Sequence, residues 1–159
     1  MSGEEAIQRF IKVSRDLTEF DKIMPKIGFS ANALIYDRIY RTGMNAKYEA
    51  FRDYTPGYKK YKDKKGHYRG FVDLTFSGRL WSNIRSPAVK STDTEHKAGV
   101  VVIGASGSEY RDILTGLTDG NNKGLKGRGD ILDLNNEEIS LIQQMTDKWV
   151  EEIINTNGL

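Results

Sequence analysis

From Met44 to Gly70 the chain loses the regular apolar spacing that governs the segment before it, and this interruption constrains the fold more than any other feature. A core needs periodic apolar residues, so it must come from the two ends and the centre of the chain. The interrupted stretch has its own character. Tyr48, Phe51, Tyr54, Tyr58, Tyr61 and Tyr68 are spaced among lysines, with Pro56-Gly57 as a turn. Loops beyond about 12–15 residues are uncommon in compact domains unless they bind something or are disordered. An extended Tyr/Lys-rich arm over residues 44–70 is therefore expected to be a contact surface.

On the N-terminal side, Ile7, Phe10, Ile11, Leu17 and Phe20 fall near helical spacing, and Ile23, Ile27, Ala31, Leu34, Ile35 and Ile39 continue the period. The pattern predicts two helices, or one bent helix. Pro25 fits the first turn of the second helix, because deeper inside it would remove a backbone bond and clash with the preceding turn. Gly43 supplies the left-handed cap that ends it.

Beyond the arm, Phe71 to Phe76 alternates as a short strand, and Ser77 can cap a helix with Leu80, Trp81 and Ile84 on its apolar face, stopped at Pro87. Val89–Thr94 and Gly99–Gly104 read as a hairpin turning near residues 95–98, with the second, Val-rich strand central in its sheet. Ser108–Leu117 is a short helix, and a glycine-rich connector follows. Asp130–Asp133 is a further short strand. Asn135 with Glu138 three residues on forms a capping-box-like start to a last amphipathic helix, whose stripe is Ile139, Ile142, Met145, Trp149 and Ile153. The expected fold is α+β: N-terminal helices, a small antiparallel sheet with a central hairpin, a long C-terminal amphipathic helix and the arm, in one domain spanning 1–159.

Composition narrows function mainly by exclusion. Without cysteine there is no disulfide frame, thiolate metal cluster or thiol nucleophile. Neither a signal peptide nor an apolar run of about 18 residues is visible, so no membrane is expected as a partner. The formal charge of +2 conceals a separation along the chain: residues 47–69 hold eight Lys or Arg against three acids, and residues 130–154 hold seven acids against one lysine. A basic segment and an acidic segment are thus available to meet complementary surfaces.

No catalytic constellation accompanies them. His67 and His96 each stand alone in polar surroundings, so no metal or other cofactor is expected. Ser106 lacks the G-x-S-x-G setting of a strained nucleophile elbow. The run DGNNKGLKGRG follows a helix rather than a strand and lacks Lys-Ser or Lys-Thr, so it is read as a connector and not a phosphate cradle. Glu137 and Glu138 fall in a first helical turn, where the helix dipole favours negative charge without any chemistry. Trp81 and Trp149 lie on apolar stripes and are read as core. A small hydrolase or transferase is disfavoured because no nucleophile, base and orienting group can be named together.

The order of elements resembles the phage virion morphogenesis family, the Mu-like tail-completion or head-tail neck proteins. Gly43 matches the glycine that ends the N-terminal helical region, Tyr54 and Tyr58 the aromatic arm, and Leu74, Ser77, Gly78, Arg79, Leu80 and Ile84 the central segment. Arg128, Leu132 and residues 134–154 match the approach to the last helix and that helix. Leu117-Thr118-Asp119-Gly120 departs from the bulky pair found there in the family pattern. The resemblance implies a non-enzymatic component of the virion, present in host cytoplasm during assembly, that forms a homo-oligomeric ring. Its other partners would be neck, portal-side or tail proteins. The expected contact residues are Tyr54, Tyr58, Lys59, Lys60, Tyr61, Lys62, Lys64, Lys65 and Arg79. The competing expectation is a nucleic-acid-binding accessory domain that uses the same lysines on phosphates and tyrosines on bases.

Overall fold

Helices dominate the computed structural model, which describes residues 3–19, 22–75, 78–85, 88–90, 99–101, 103–106, 108–119 and 131–158. The elements run α1 (Gly3–Thr18), α2 (Met24–Thr42), α3 (Pro56–Lys64), α4 (Arg79–Asn83), β1 (Ile84–Arg85), β2 (Ala88–Lys90), β3 (Gly99–Val101), β4 (Gly104–Ala105), α5 (Ser108–Asp119) and α6 (Asn136–Thr156). They group into two compact units interleaved along the chain: unit 1 is Met1–Ser30, Ser86–Val102 and Asn136–Leu159, and unit 2 is Ala31–Arg85 and Ile103–Asn135.

Unit 1 is built on the contact between α1 and α6. Glu4 and Glu5 occupy the first turn of α1, and Glu137 and Glu138 that of α6, where they face the partial positive charge of the helix start. The end of α6 is tied to α1 by hydrogen bonds. Arg9 donates to the Gly158 carbonyl at 2.9 Å, and the Asn157 amide donates to Asp16 at 3.2 Å. Val13 and Ile23 are buried, but Ile7, Phe10 and Ile11 of α1 are 60, 67 and 55% exposed. The N-terminal apolar stripe therefore does not serve as core, contrary to the periodicity argument: one face of α1 is left in solvent.

Unit 2 holds the main core, made of Ile35 and Ile39 of α2 with Phe51, Val72, Leu74 and Ile131. The start and stop of α2 follow the local chemistry. Pro25 is its second residue, and Gly43 follows its end at φ 66°. The Gly43 amide donates to the Ile39 carbonyl at 2.9 Å, and a Cβ built there would lie 2.7 Å from the Phe71 ring and 2.9 Å from the Val72 carbonyl oxygen. Only glycine satisfies both the left-handed backbone and that approach.

The segment expected to be an extended arm is folded. Asn45 organises its start, its side-chain oxygen accepting from the Lys47 and Glu49 amides at 2.9 and 3.0 Å, while Met44 and Ala50 form an antiparallel bridge. Pro56, read as a turn former, instead opens α3 at its first turn, with Thr55 as the capping position. Gly66, at φ 69°, follows the end of α3.

The strand expected over Phe71–Phe76 is also absent from its described part. The Asp73 carboxylate accepts from the Thr75 amide at 3.1 Å, and Leu74 adopts φ 52°, so the chain turns where alternation alone would extend it. Likewise Ile131 and Leu132 form a turn, not a strand. The expected small sheet with a central hairpin strand is not built: β2 pairs with β3, and β1 separately with β4, each as an antiparallel two-stranded ladder. The strand expected over Gly99–Gly104 is divided: Gly99–Val101 pairs with β2, whereas Gly104 pairs with Arg85 in the other ladder, so it is no central strand. Ser77, His96, the 95–98 turn and the glycine-rich connector with Arg128 lie outside the described residues.

Candidate functional site

The side chains singled out between Tyr54 and Lys65 separate into an inner and an outer group once α3 forms. Within α3 the side chain of Lys62, which sequence reasoning puts outside, turns inward toward Tyr54, which precedes the helix. It is 0% exposed, and Asp73 opposite it is 1% exposed. The Lys62 ammonium donates to Asp73 Oδ1 at 2.7 Å, to the Tyr54 hydroxyl at 3.2 Å and to the Thr75 carbonyl, which uses all three of its protons.

Asp73 is satisfied in turn. Its Oδ1 also accepts from the Tyr54 hydroxyl at 3.1 Å, and its Oδ2 accepts from the Thr75 hydroxyl at 2.7 Å. Burial pushes the Asp73 carboxyl up, but the Lys62 and Thr75 hydrogen bonds outweigh it and hold the group below the ordinary carboxylate value. Burial first, and then the Asp73 charge, pushes the Tyr54 phenol above its usual value. Both residues therefore keep fixed protonation states at neutral pH, and the cluster acts as a structural bolt rather than a proton-transfer device.

The outer group is different. Lys59 reaches Asp53 at 2.8 Å and lies 4.9 Å over the Tyr68 ring, and these neighbours raise its pKa, the Asp53 hydrogen bond most. Lys60, Lys64 and Lys65 are exposed, and Tyr58 and Tyr61 are 40 and 47% exposed. Tyr58 meets Tyr54 edge to face with centroids 5.0 Å apart, and Tyr61 lies 6.4 Å further along.

Tyr54, Tyr58 and Arg79 also come together, in the wall of a cavity of about 430 Å³ in unit 2. The remaining wall includes Leu74, Thr75, Leu80 and Trp81 with Glu109, Tyr110, Ile113 and Leu117 of α5. Neither the cavity nor the role of Asp73 is evident from the sequence. The available signal for Asp73 is a carboxylate flanked by Val72 and Leu74 in an otherwise apolar alternation, with a hydroxyl two residues on. Trp81, read as core, is half-buried at the cavity and packs edge to face on Tyr36 at 5.2 Å.

Among the described residues no group of three or more His, Cys, Asp or Glu is placed to hold a metal ion, and no helix is long and apolar enough to cross a membrane. No protein-family model, curated protein or solved structure matches the chain. Function is therefore argued from these residues and their geometry.

Proposed function

We propose that this chain is a structural component of a phage head-tail connection, a neck or tail-completion protein that assembles head to tail into a ring between the portal side of the capsid and the tail. The observation that carries this reading is the row of Ile7, Phe10 and Ile11 on α1. Three large apolar side chains at helical spacing stay in solvent although a core lies within the same chain. Contiguous apolar surface of this kind is characteristic of protein contact sites. The resemblance carried by Gly43 and by Leu74 to Ile84 supplies the setting, and the absence of a nameable nucleophile and base agrees with it.

A head-to-tail ring requires two different surfaces that fit one another. Unit 1 offers the apolar row and the exposed acids Glu151 and Glu152 of α6; unit 2 offers Lys60, Lys64 and Lys65 with Tyr58 and Tyr61. In this reading the apolar and aromatic side chains provide the affinity, and the opposite charges set register and association rate. Lys62 is withdrawn from the contact set because its charge is already spent on Asp73.

Mass measurement of the purified protein, alone and mixed with neighbouring virion proteins, tests the proposal: discrete multimers are expected. A monomer under all of these conditions contradicts it. The exposed lysines beside exposed tyrosines also favour a competing reading as a nucleic-acid surface. That reading requires DNA binding at low salt that weakens steeply as salt rises, and lack of binding at low salt ends it.

A further inference from the structure

Asn157 and Gly158 form the single Asn-Gly pair of the chain, and they sit where the end of α6 is fastened to α1. In such a pair the glycine nitrogen, with no Cβ beside it, can turn back on the asparagine side chain. The surroundings of this amide are one-sided. Its nitrogen donates to Asp16 Oδ2 at 3.2 Å and to the Ile153 carbonyl at 2.8 Å, while its buried oxygen accepts from nothing. The reverse orientation would set that oxygen against two acceptors, so the position selects an amide nitrogen. A carboxylate here would find no donor and would face the charge of Asp16, whose pKa the Asn157 hydrogen bond lowers.

The backbone at this point is held less firmly than the side chain. The Asn157 backbone amide divides its hydrogen bond between the Ile153 and Ile154 carbonyls, each at 3.2 Å, and Gly158 turns away at φ 69°. The last turn of a helix opens at low cost, whereas the Asn157 side chain is buried against α1. Opening of the Asp16 contact therefore decides when the amide can move.

We propose that Asn157 is a site of spontaneous deamidation gated by the α1–α6 contact, and that its conversion loosens α1 from the end of α6. The Gly158 backbone nitrogen attacks Asn157 Cγ and loses its proton, and Nδ2 leaves as ammonia to give a succinimide. Water then opens the ring to aspartate or isoaspartate, so one amide and one water yield one acid and one ammonia. The step needs no enzyme and no redox partner. The inference is independent of ring assembly, because both residues and α1 belong to unit 1 of one copy.

The test incubates the natural chain, Asp16→Ala and a synthetic peptide of residues 149–159 in mildly alkaline buffer. Aspartate and isoaspartate at Asn157 are scored by mass spectrometry of the tryptic peptide that begins at Trp149. The folded chain is expected to convert more slowly than the peptide by about tenfold or more, and Asp16→Ala to recover about threefold to tenfold of that difference. Asn157→Asp, kept at concentrations too low for assembly, is expected to speed hydrogen exchange of the α1 amides more than Asn157→Ala does, since it adds a charge as well as removing donors. Adding Asp16→Asn to Asn157→Asp places an amide opposite the carboxylate and is expected to slow that exchange again. Conversion as fast in the folded chain as in the peptide, a rate unchanged by Asp16→Ala, α1 exchange no faster in Asn157→Asp than in Asn157→Ala, or failure of Asp16→Asn to slow it overturns the proposal.

Discussion

The two units invert the usual distribution of side chains in opposite ways. Unit 2 buries a lysine completely and matches each of its protons to an acceptor, whereas unit 1 leaves Ile7, Phe10 and Ile11 of α1 largely in water. The first inversion costs desolvation and is offset only because Asp73, Tyr54 and Thr75 form a closed network. The second lacks an internal compensation among the described residues, and the proposed association surface would provide one. The pair teaches that position within the fold, not residue type, decides which groups are available to a partner: the charge of Lys62 is taken, and the apolar face of α1 is open.

Substitutions in the Lys62–Asp73 network of unit 2 should therefore act on stability, and those on the α1 face on association. The largest effect is expected from Asp73→Ala, which strands the buried ammonium of Lys62. A loss of about 3–5 kcal/mol is expected in urea unfolding, far more than for a surface ion pair. The companion double variant Lys62→Met with Asp73→Leu should recover most of that loss, since the penalty comes from the unmatched charge. Failure to recover would place the cost in packing instead.

Next in size is Gly43→Ala. A left-handed backbone and a Cβ at 2.7 Å from the Phe71 ring together predict roughly 2–4 kcal/mol of destabilisation, read from the same unfolding curves. Tyr54→Phe should cost less, about 1.5–3 kcal/mol, because it removes hydrogen bonds to charged groups but leaves the Lys62–Asp73 pair in place. It also removes the share of the alkaline loss of stability that Tyr54 contributes. Since the phenol pKa is raised on folding, its contribution is complete below about pH 10 and falls as pH rises through the folded value.

Asp73 gives the opposite pH signature. Its pKa is lowered on folding, so its contribution is complete above about pH 4, the unfolded value, and is lost as pH falls through the folded value. Unfolding midpoints measured from pH 6 down to pH 2 should decline less steeply in the Lys62→Met, Asp73→Leu variant than in the natural chain. The smallest stability effect is expected at Phe10→Ser, within about 0.5 kcal/mol at protein concentrations too low for assembly, because in a single copy the ring is already exposed.

The helices of this chain were largely legible because their signals are local. Spacing from Ile23 to Ile39, Pro25 at the opening and Gly43 at the close define α2, and the apolar positions between Ser108 and Leu117 define most of α5. What escaped depends on partners distant in sequence. The inward position of α3 is filled by Lys62, so its helix carries no apolar period, and the reason for burying that lysine lies eleven residues later in Asp73. The same carboxylate turns the backbone at Thr75 and cancels a strand that alternation predicts. The α1 stripe misleads in the other direction, since periodicity reports an apolar face but not whether the chain itself covers it. The cavity was illegible because its wall joins α5 to residues around α3 and α4, a juxtaposition that no spacing encodes.

The most direct measurement compares the mass in solution of the natural chain with that of a variant carrying Ile7→Glu and Phe10→Glu, each followed by its urea unfolding curve. The expected result is a discrete multimer for the natural chain and a monomer for the variant, the variant still unfolding in a cooperative transition and the natural chain unfolding at a urea concentration that rises with protein concentration. A natural chain that stays monomeric together with neck, portal-side and tail proteins, or a variant that still multimerises, contradicts the assignment of the α1 face to assembly.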